Sequence, residues 1–458
     1  MTGLKTDMAD PGLQEDLLGS EMAAEVEAHK QTQQLLQAAS LHDLDTLRAL
    51  LKTVPATVRD PNTGYTGLHS AISSCGNHAK SRILNGESVL PQSEGAQDGN
   101  ERATESLRLL LQNGAIWNDL DSNNETPGCM AWRIGFKEAY EIMVDAGVRA
   151  ELLMNRLDDF EILSDASDDA ETDEDLGQNA EEASRLADAA NALDEDLQQD
   201  AATVNLGAPQ VSELATEPIA APDDDSSTRN PQYLSSSLSF TSDRILDAAA
   251  NGVMMSWESS LMERTAAAIL PTKGLKVLNI GFGMGIFDTF VQNNHEPPQH
   301  HIVEAHPDVL NQMKETGWDS SAPSYNKQNV TIHPGTWQEV LPQLIKQNLT
   351  FDAIFFDTFA EDYKAFREFF SEYVIGLLEQ EGRWSFFHGL GADRQVCYDV
   401  YTKVVEMDLF EAGFEVEWQD VELPELKRGT KEGDTWEGVK RSYFSVEKYR
   451  LPVCKFVG

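Results

Sequence analysis

The stretch KVLNIGFGMGI, residues 276–286, constrains this chain more than any other. Its apolar run Val277-Leu278-Asn279-Ile280 breaks into glycines at Gly281, Gly283 and Gly285. A buried parallel strand that turns sharply into a helix has this pattern. Glycines let the backbone turn tightly and approach a ligand with no Cβ in the way. A helix over about residues 287–292 would then aim its N-terminal amides at that ligand. Two more strands with acidic ends follow: HHIVEAH carries Glu304 and FDAIFFDTF carries Asp357. A glycine turn followed by strand-end acids reads as a nucleoside-cofactor site in an α/β sheet.

The glycine spacing bears on which cofactor. A dinucleotide fingerprint requires G-x-G-x-x-G. Here the sixth position is Ile286 and the spacing is G-x-G-x-G. That departure weakens a dehydrogenase reading and favours S-adenosyl-L-methionine, which has no pyrophosphate to cradle. A turn of this kind can also serve packing alone. Glu304 lies about 23 residues after Gly281, close to the offset of roughly 20 for a ribose-binding acid. A carboxylate there can accept both ribose hydroxyl protons; the plainer alternative is a solvated acid at a strand end.

A chain of 458 residues is long enough for two or three domains. The formal net charge of -42 argues against direct nucleic-acid binding, because phosphates need Lys and Arg. It favours a basic partner or a strongly solvated tail. The four cysteines form no C-x-x-C pair, so zinc and a disulfide framework are not expected, and a reducing compartment fits. No secretory leader pattern and no run of about 18 apolar residues occurs, so no membrane association is expected.

Residues 1–28 are polar and are expected to fray. A helical pattern begins at His29, with Leu35, Leu36 and Ala39 on one stripe and Leu44, Leu47, Leu50 and Leu51 on the next. TGLHSA, residues 66–71, resembles the ankyrin T-P-L-H-x-A signature, with Gly67 in the proline position. LRLLLQNGA and AYEIMVDAG resemble second-helix endings, and Thr126-Pro127 restarts the pattern. The two turns lie about 60 residues apart against a period of about 33. An insertion over residues 77–102 accounts for the excess. Two or three degenerate repeats are expected over residues 29–156, with His69 as a hydrogen-bonder in a repeat turn. Such repeats could also engage a protein partner.

Residues 157–229 change character. Between 157 and 225, 22 acids face one base, Arg185. This reads as a disordered acidic linker, either simply solvated or acting as a lure for a basic substrate. A short helix near residues 180–197 is compatible with its Ala and Leu content. From residue 230 to 458 the globular pattern returns. Ser242-Asp243 reads as a helix N-cap, and residues 254–270 as a helix broken near Trp257-Glu258. Strands are expected at residues 277–280, 302–304, 330–333, 353–357 and 383–387, with helices between them. Two final strand-like runs, 414–421 and 441–449, suggest an antiparallel pair ending a parallel sheet.

MMSWESSLM, VLNIGFGMGI, HHIVEAHPDVL, HPGTWQEV and FDAIFFDTF, in that order, resemble guanidinoacetate methyltransferase. With an N-terminal ankyrin-like region, the chain resembles the fungal protein arginine N5-methyltransferases, the type IV class. The resemblance implies a Rossmann-like S-adenosylmethionine methyltransferase domain of seven strands, behind an α-helical ankyrin-repeat domain and an acidic linker. It implies methylation of the internal, δ nitrogen of arginine in a protein, with a ribosomal protein as the substrate class, and a cytoplasmic and nuclear location. It places Gly281, Phe282, Gly283, Met284, Gly285 and Ile286 along the cofactor's methionine part. Glu304, Ala305 and His306 would hold the ribose and adenine side, Gly335 and Thr336 the adenine. Met262 would sit beside the sulfonium and Tyr233 would cover the cofactor. Asp357 would lie between cofactor and substrate, and Glu258 would face the guanidinium.

The chemistry asks for these residue types independently. A guanidinium is protonated at neutral pH and its nitrogen lone pairs are delocalised. One nitrogen must be held in line with the methyl donor, about 3 Å away. Two carboxylates can bind the cation and localise its charge, and one can take the proton. Glu258 and Asp357 are the acids placed to do this. Trp257 could wall such a pocket or belong to the core. A small-molecule guanidino-acid methyltransferase, and an ankyrin interaction protein with an inactive methyltransferase fold, remain alternatives.

Overall fold

The computed structural model describes residues 11–84, 94–165, 230–319, 327, 329–424, 426, 434–440 and 442–458. The acidic stretch from 166 to 229, including the short helix expected near 180–197, lies outside the described residues, as do 85–93 of the expected insertion. Residues 154–225 form a unit of their own, of which only the end of a helix is described.

The N-terminal region is built of six helices: α1 (Pro11–Leu41), α2 (Leu44–Leu50), α3 (Gly67–Leu84), α4 (Glu94–Gln112), α5 (Pro127–Ile134) and α6 (Lys137–Asp165). Helix α1 takes in residues 11–28, where the sequence predicts fraying. Leu35, Ala39 and Leu47 bury the predicted apolar stripes. Asp43 caps α2 through the Thr46 amide, and Thr126 caps α5 through the Cys129 amide with Pro127 at the first turn. His69 is buried, and its Nδ1 lies 2.9 Å from Thr66 Oγ1. Its Nε2 lies 3.0 Å from the Glu125 carbonyl oxygen, so the ring joins the two turns.

The C-terminal region carries a seven-stranded sheet: β4 (Val277–Ile280), β5 (His300–Glu304), β6 (Val330–Pro334), β7 (Phe351–Phe356), β8 (Leu378–Phe386), β9 (Phe414–Glu422) and β10 (Lys448–Phe456). The order is β6-β5-β4-β7-β8-β10-β9. The first five strands in that order run parallel, and β10 is antiparallel to both β8 and β9. Strand order reverses on either side of β4, which puts a ligand crevice at the carboxyl ends of β4, β5 and β7. Every residue of β4 and β5 is buried, as expected of central parallel strands.

The structure departs from the sequence expectation in three places. Residues 254–270 are not one broken helix. Gly252–Met255 is a strand, β3, followed by a 3-10 turn at Ser256–Glu258 and then a helix at Ser259–Ile269. Ser242-Asp243 does not cap a helix: it forms the turn between β1 (Ser239–Phe240) and β2 (Arg244–Leu246), which pair with β3 in a small antiparallel sheet. The last strand begins at Lys448, not at 441. The apolar residues before it, Phe444 and Val446, pack inward without a ladder.

The N-terminal helices and the C-terminal region share a core. The helix Gln395–Glu411, between β8 and β9, is buried on two sides. Val396, Val400 and Val404 join the N-terminal cluster with Trp117, Tyr140 and Met143. Val405 and Leu409 join the sheet cluster with Phe351 and Trp384. The Tyr140 hydroxyl donates to Asp399, and the Tyr401 hydroxyl donates to Glu151 Oε2 at 3.0 Å. Among the described residues, no helix is long and apolar enough to cross a membrane.

Candidate active site

Backbone hydrogen bonds draw the three strand ends together. The Gly281 amide donates to the Val303 carbonyl at 2.9 Å, and the Asp357 amide donates to the Ile280 carbonyl at 2.9 Å. The Gly335 amide donates to the Glu304 carbonyl at 2.9 Å. Gly281 has φ +94°, a left-handed conformation that favours glycine. The turn then enters the helix Ile286–Asn294.

A cavity of about 250 Å³ opens over these ends. Gly281 and Gly283, then Glu304 and Ala305, then Gly335 and Thr336, form its floor and one side. Tyr233 and Phe359 stand against each other with centroids 4.8 Å apart on the wall. Glu258, Asp357 and Tyr443 also line it, close to one another. Most residues expected from the resemblance therefore meet in one cleft.

Others do not line it. Phe282 turns away and packs edge-on against Trp318 at 5.2 Å. Gly285 and Ile286 start the helix behind the turn. Met284 packs beside the turn, its amide 3.2 Å from the Met254 sulfur. Met262 is 1% exposed in a cluster with Ala266, Ile269 and Phe287, and Met254 takes the cavity-facing place. His306 also stands behind the wall. Its Nδ1 accepts from the Asp308 amide at 3.1 Å, leaving Nε2 to donate to the Tyr233 carbonyl at 3.1 Å. It thus fastens Tyr233, and its ring sits 4.8 Å from the Tyr233 ring. Trp257 lies among Trp436, Tyr443 and Phe444, behind the site.

Glu304 is 7% exposed. Its Oε2 accepts from the Phe282 amide at 2.9 Å and its Oε1 from the His306 amide at 2.7 Å. Burial raises its pKa, while these amides favour the charged form.

The other two acids differ. Glu258 is 3% exposed, at the end of the 3-10 turn. Burial, then the nearby Asp357 charge, push its pKa up to about 8, against hydrogen bonds from Tyr443 and the Met255 amide. Burial pushes Asp357 up to about 7. Asp357 Oδ2 is shielded from solvent and has no hydrogen-bond partner among the described residues, and neither has Thr358 Oγ1. Polar atoms of this kind at a strand end in a cleft mark a candidate functional site.

Sequence reading missed Met254, Thr358, Phe359, Glu361 and Tyr443 on the wall. Thr358 and Phe359 directly follow Asp357, so position after the strand-end acid was the available signal for both. Glu361 accepts from Trp337 Nε1 at 3.0 Å. Tyr443 reaches the site only through the path of the C-terminal segment.

The parallel sheet closed by an antiparallel pair, with its cleft at the β4 switch point, defines a Rossmann-like methyltransferase. The family model for guanidinoacetate N-methyltransferase matches residues 229–423. Protein arginine N-methyltransferase 2 of Emericella nidulans is 49% identical over 445 residues, covering 94% of this chain and 98% of its own. The protein of that name from Aspergillus fumigatus is 50% identical, with 93% and 96% covered. That of Yarrowia lipolytica is 35% identical, with 90% and 94% covered. The chain belongs to the protein arginine N-methyltransferase 2 family.

Proposed function

We propose that this chain transfers a methyl group from S-adenosyl-L-methionine to the internal (δ, N5) nitrogen of arginine in a basic protein, of the ribosomal class. Relatives named for protein arginine methylation support the substrate. The observation that carries the reading is the pair Glu258 and Asp357, two acids lining the cavity close to one another, both driven toward neutrality by burial. A bound guanidinium restores the charged form of such acids, and they in turn localise its charge.

The residues present fit the cofactor. The turn at Gly281 brings backbone to the cavity floor without a side chain, Glu304 offers carboxylate acceptors for ribose hydroxyls, and Thr358 Oγ1 has no partner among the described residues. When bound, the cofactor would supply an electrophilic methyl group. Gly335 and Thr336 would border the adenine, with Tyr233 covering the site under the His306 hydrogen bond. Glu258 and Asp357 would hold the guanidinium from two sides, and one would accept the proton released on transfer. Phe359 and Phe387 would keep water from the reacting atoms.

The N-terminal helices, with the His69 turn, support the ankyrin reading; the proposed role is to present a partner or substrate surface. Four free cysteines suit the proposed cytoplasmic and nuclear setting. The proposed domain division keeps an acidic linker at 157–229. The function is tested by incubating the full-length protein with radiolabelled S-adenosylmethionine and acid-extracted ribosomal protein, with guanidinoacetate in a parallel reaction. Label in protein alone supports the proposal. Label in guanidinoacetate alone would make it a metabolite enzyme.

A further inference from the structure

Tyr443 was not among the residues the sequence pointed to, yet its hydroxyl donates to Glu258 Oε1 inside the cavity. The Met255 amide donates to the same oxygen at 3.1 Å. Oε1 therefore carries two donors, and Oε2 has none among the described residues. The phenol is held from several sides. Its ring stands edge-on to Trp436 with centroids 4.8 Å apart. A Cβ at Gly252 would lie 2.9 Å from its Cε1. Its segment is fastened to the hairpin before β3, where the Lys440 amide donates to the Ala250 carbonyl at 2.8 Å and Arg244 donates to the Glu437 carbonyl. It is fastened again beyond β8, where the Ser445 amide donates to the Ala392 carbonyl at 2.7 Å.

A carboxylate free to rotate can offer a guanidinium both oxygens in a fork. One whose Oε1 is occupied offers a single oxygen in one orientation. We infer that Tyr443 is a positioning residue for methyl transfer, holding the Glu258 carboxyl so that Oε2 alone faces the substrate nitrogen. This rests on the reading that Glu258 binds the guanidinium. Single-point contact suits selection of one nitrogen among three, because a fork would engage two at once. Tyr443 also bears on the charge of Glu258. The groups facing that carboxyl are Asp357 at the end of β7, the Tyr443 phenol, the Met255 amide and, farther off, Tyr449 of β10. Asp357 favours the neutral form of Glu258, and the phenol and amide favour the charged one.

The experiment compares full-length Tyr443→Phe, Gly252→Ala and Glu258→Gln with wild type, using labelled S-adenosylmethionine and ribosomal protein. Tyr443→Phe keeps the ring and removes only the hydroxyl. Its kcat should fall about ten- to a hundredfold, the scale of a hydrogen bond to a charged group. Affinity for S-adenosylhomocysteine should not change, and the acidic limb of the kcat/KM profile should move to higher pH. Gly252→Ala, which crowds the same ring, should move the limb in the same direction. A Tyr443→Phe enzyme with wild-type kcat and an unmoved limb would overturn the inference. So would a loss of activity matched by lost thermal stability with the limb unmoved, since that is packing alone. An active Glu258→Gln would instead remove the guanidinium reading beneath it.

Discussion

A β-carbon on Gly281 would lie 1.9 Å from the carbonyl oxygen of Asp357. The cofactor turn and the acid at the end of β7 are thus packed backbone to backbone, and one cannot shift without the other. The φ of +94° adds a cost of about 1–2 kcal/mol for any other residue. Gly281→Ala should therefore fold poorly or lose S-adenosylhomocysteine binding altogether. Gly274→Ala is the control: its φ is +80° but nothing lies within 4 Å of the added carbon. It should cost only the conformational term, read as a fall of a few degrees in melting temperature.

Glu304 organises the turn as well as facing the cavity. Glu304→Ala removes the acceptor for the Phe282 and His306 amides together. Cofactor affinity should drop by about 1.5–3 kcal/mol, and thermal stability should fall too. Calorimetric titration and a melting curve on the same sample check both. Unchanged affinity would place the ribose elsewhere.

The raised acids make a stability prediction with a definite sign. Glu258 and Asp357 hold protons in the folded protein up to about 8 and about 7, where an unfolded chain has released them. Their contribution is fully present below the ordinary carboxylate range and is lost as pH rises through 7 to 8. The Glu258→Gln, Asp357→Asn double variant lacks this penalty. It should melt several degrees above wild type at pH 8.5, the gap shrinking toward pH 5, while transfer is abolished. A double variant less stable than wild type at pH 8.5 would contradict the assigned shifts. For the wild type, kcat/KM should climb between about pH 6.5 and 8.5 as the acids ionise.

Truncation separates two pictures of the chain. Residues 230–458 read, from sequence, as a domain on their own. Yet Val396, Val400 and Val404 are buried against the N-terminal helices, and Gly128 and Gly147 would place a Cβ 2.6 Å from Val396 and Val400. Exposing that face should leave the 230–458 fragment aggregation-prone at micromolar concentration. Size-exclusion chromatography decides, and a monomeric, cofactor-binding fragment would show the shared core to be dispensable.

The central sheet was legible because its signals are local. An apolar run ending in glycines, and acids at the ends of HHIVEAH and FDAIFFDTF, need no knowledge of distant partners. The small sheet was not, because GVMMSWESSLM spaces its apolar residues as a helix does, and β3 is a strand only through its pairing with Arg244 and Ile245. Residues 441–449 alternate like a strand, yet Tyr443 is drawn to Glu258, 185 positions earlier in the chain. Met262, which the resemblance set beside the sulfonium, packs in the core, and the methionine lining the cavity is Met254, on β3. In Gln395–Glu411 the apolar residues spread over more than one face, the pattern of a helix covered on two sides.

The most direct test is the identity of the methylated nitrogen. Wild-type protein, S-adenosylmethionine and acid-extracted ribosomal protein are incubated, the product is hydrolysed, and methylarginines are separated and fragmented by mass spectrometry. The account predicts δ-N-methylarginine, formed by the wild type and lost about 10²–10⁴-fold in Glu258→Gln and in Asp357→Asn. A methyl group on a terminal nitrogen would contradict the proposed position of transfer, and undiminished product from both variants would contradict the acid pair.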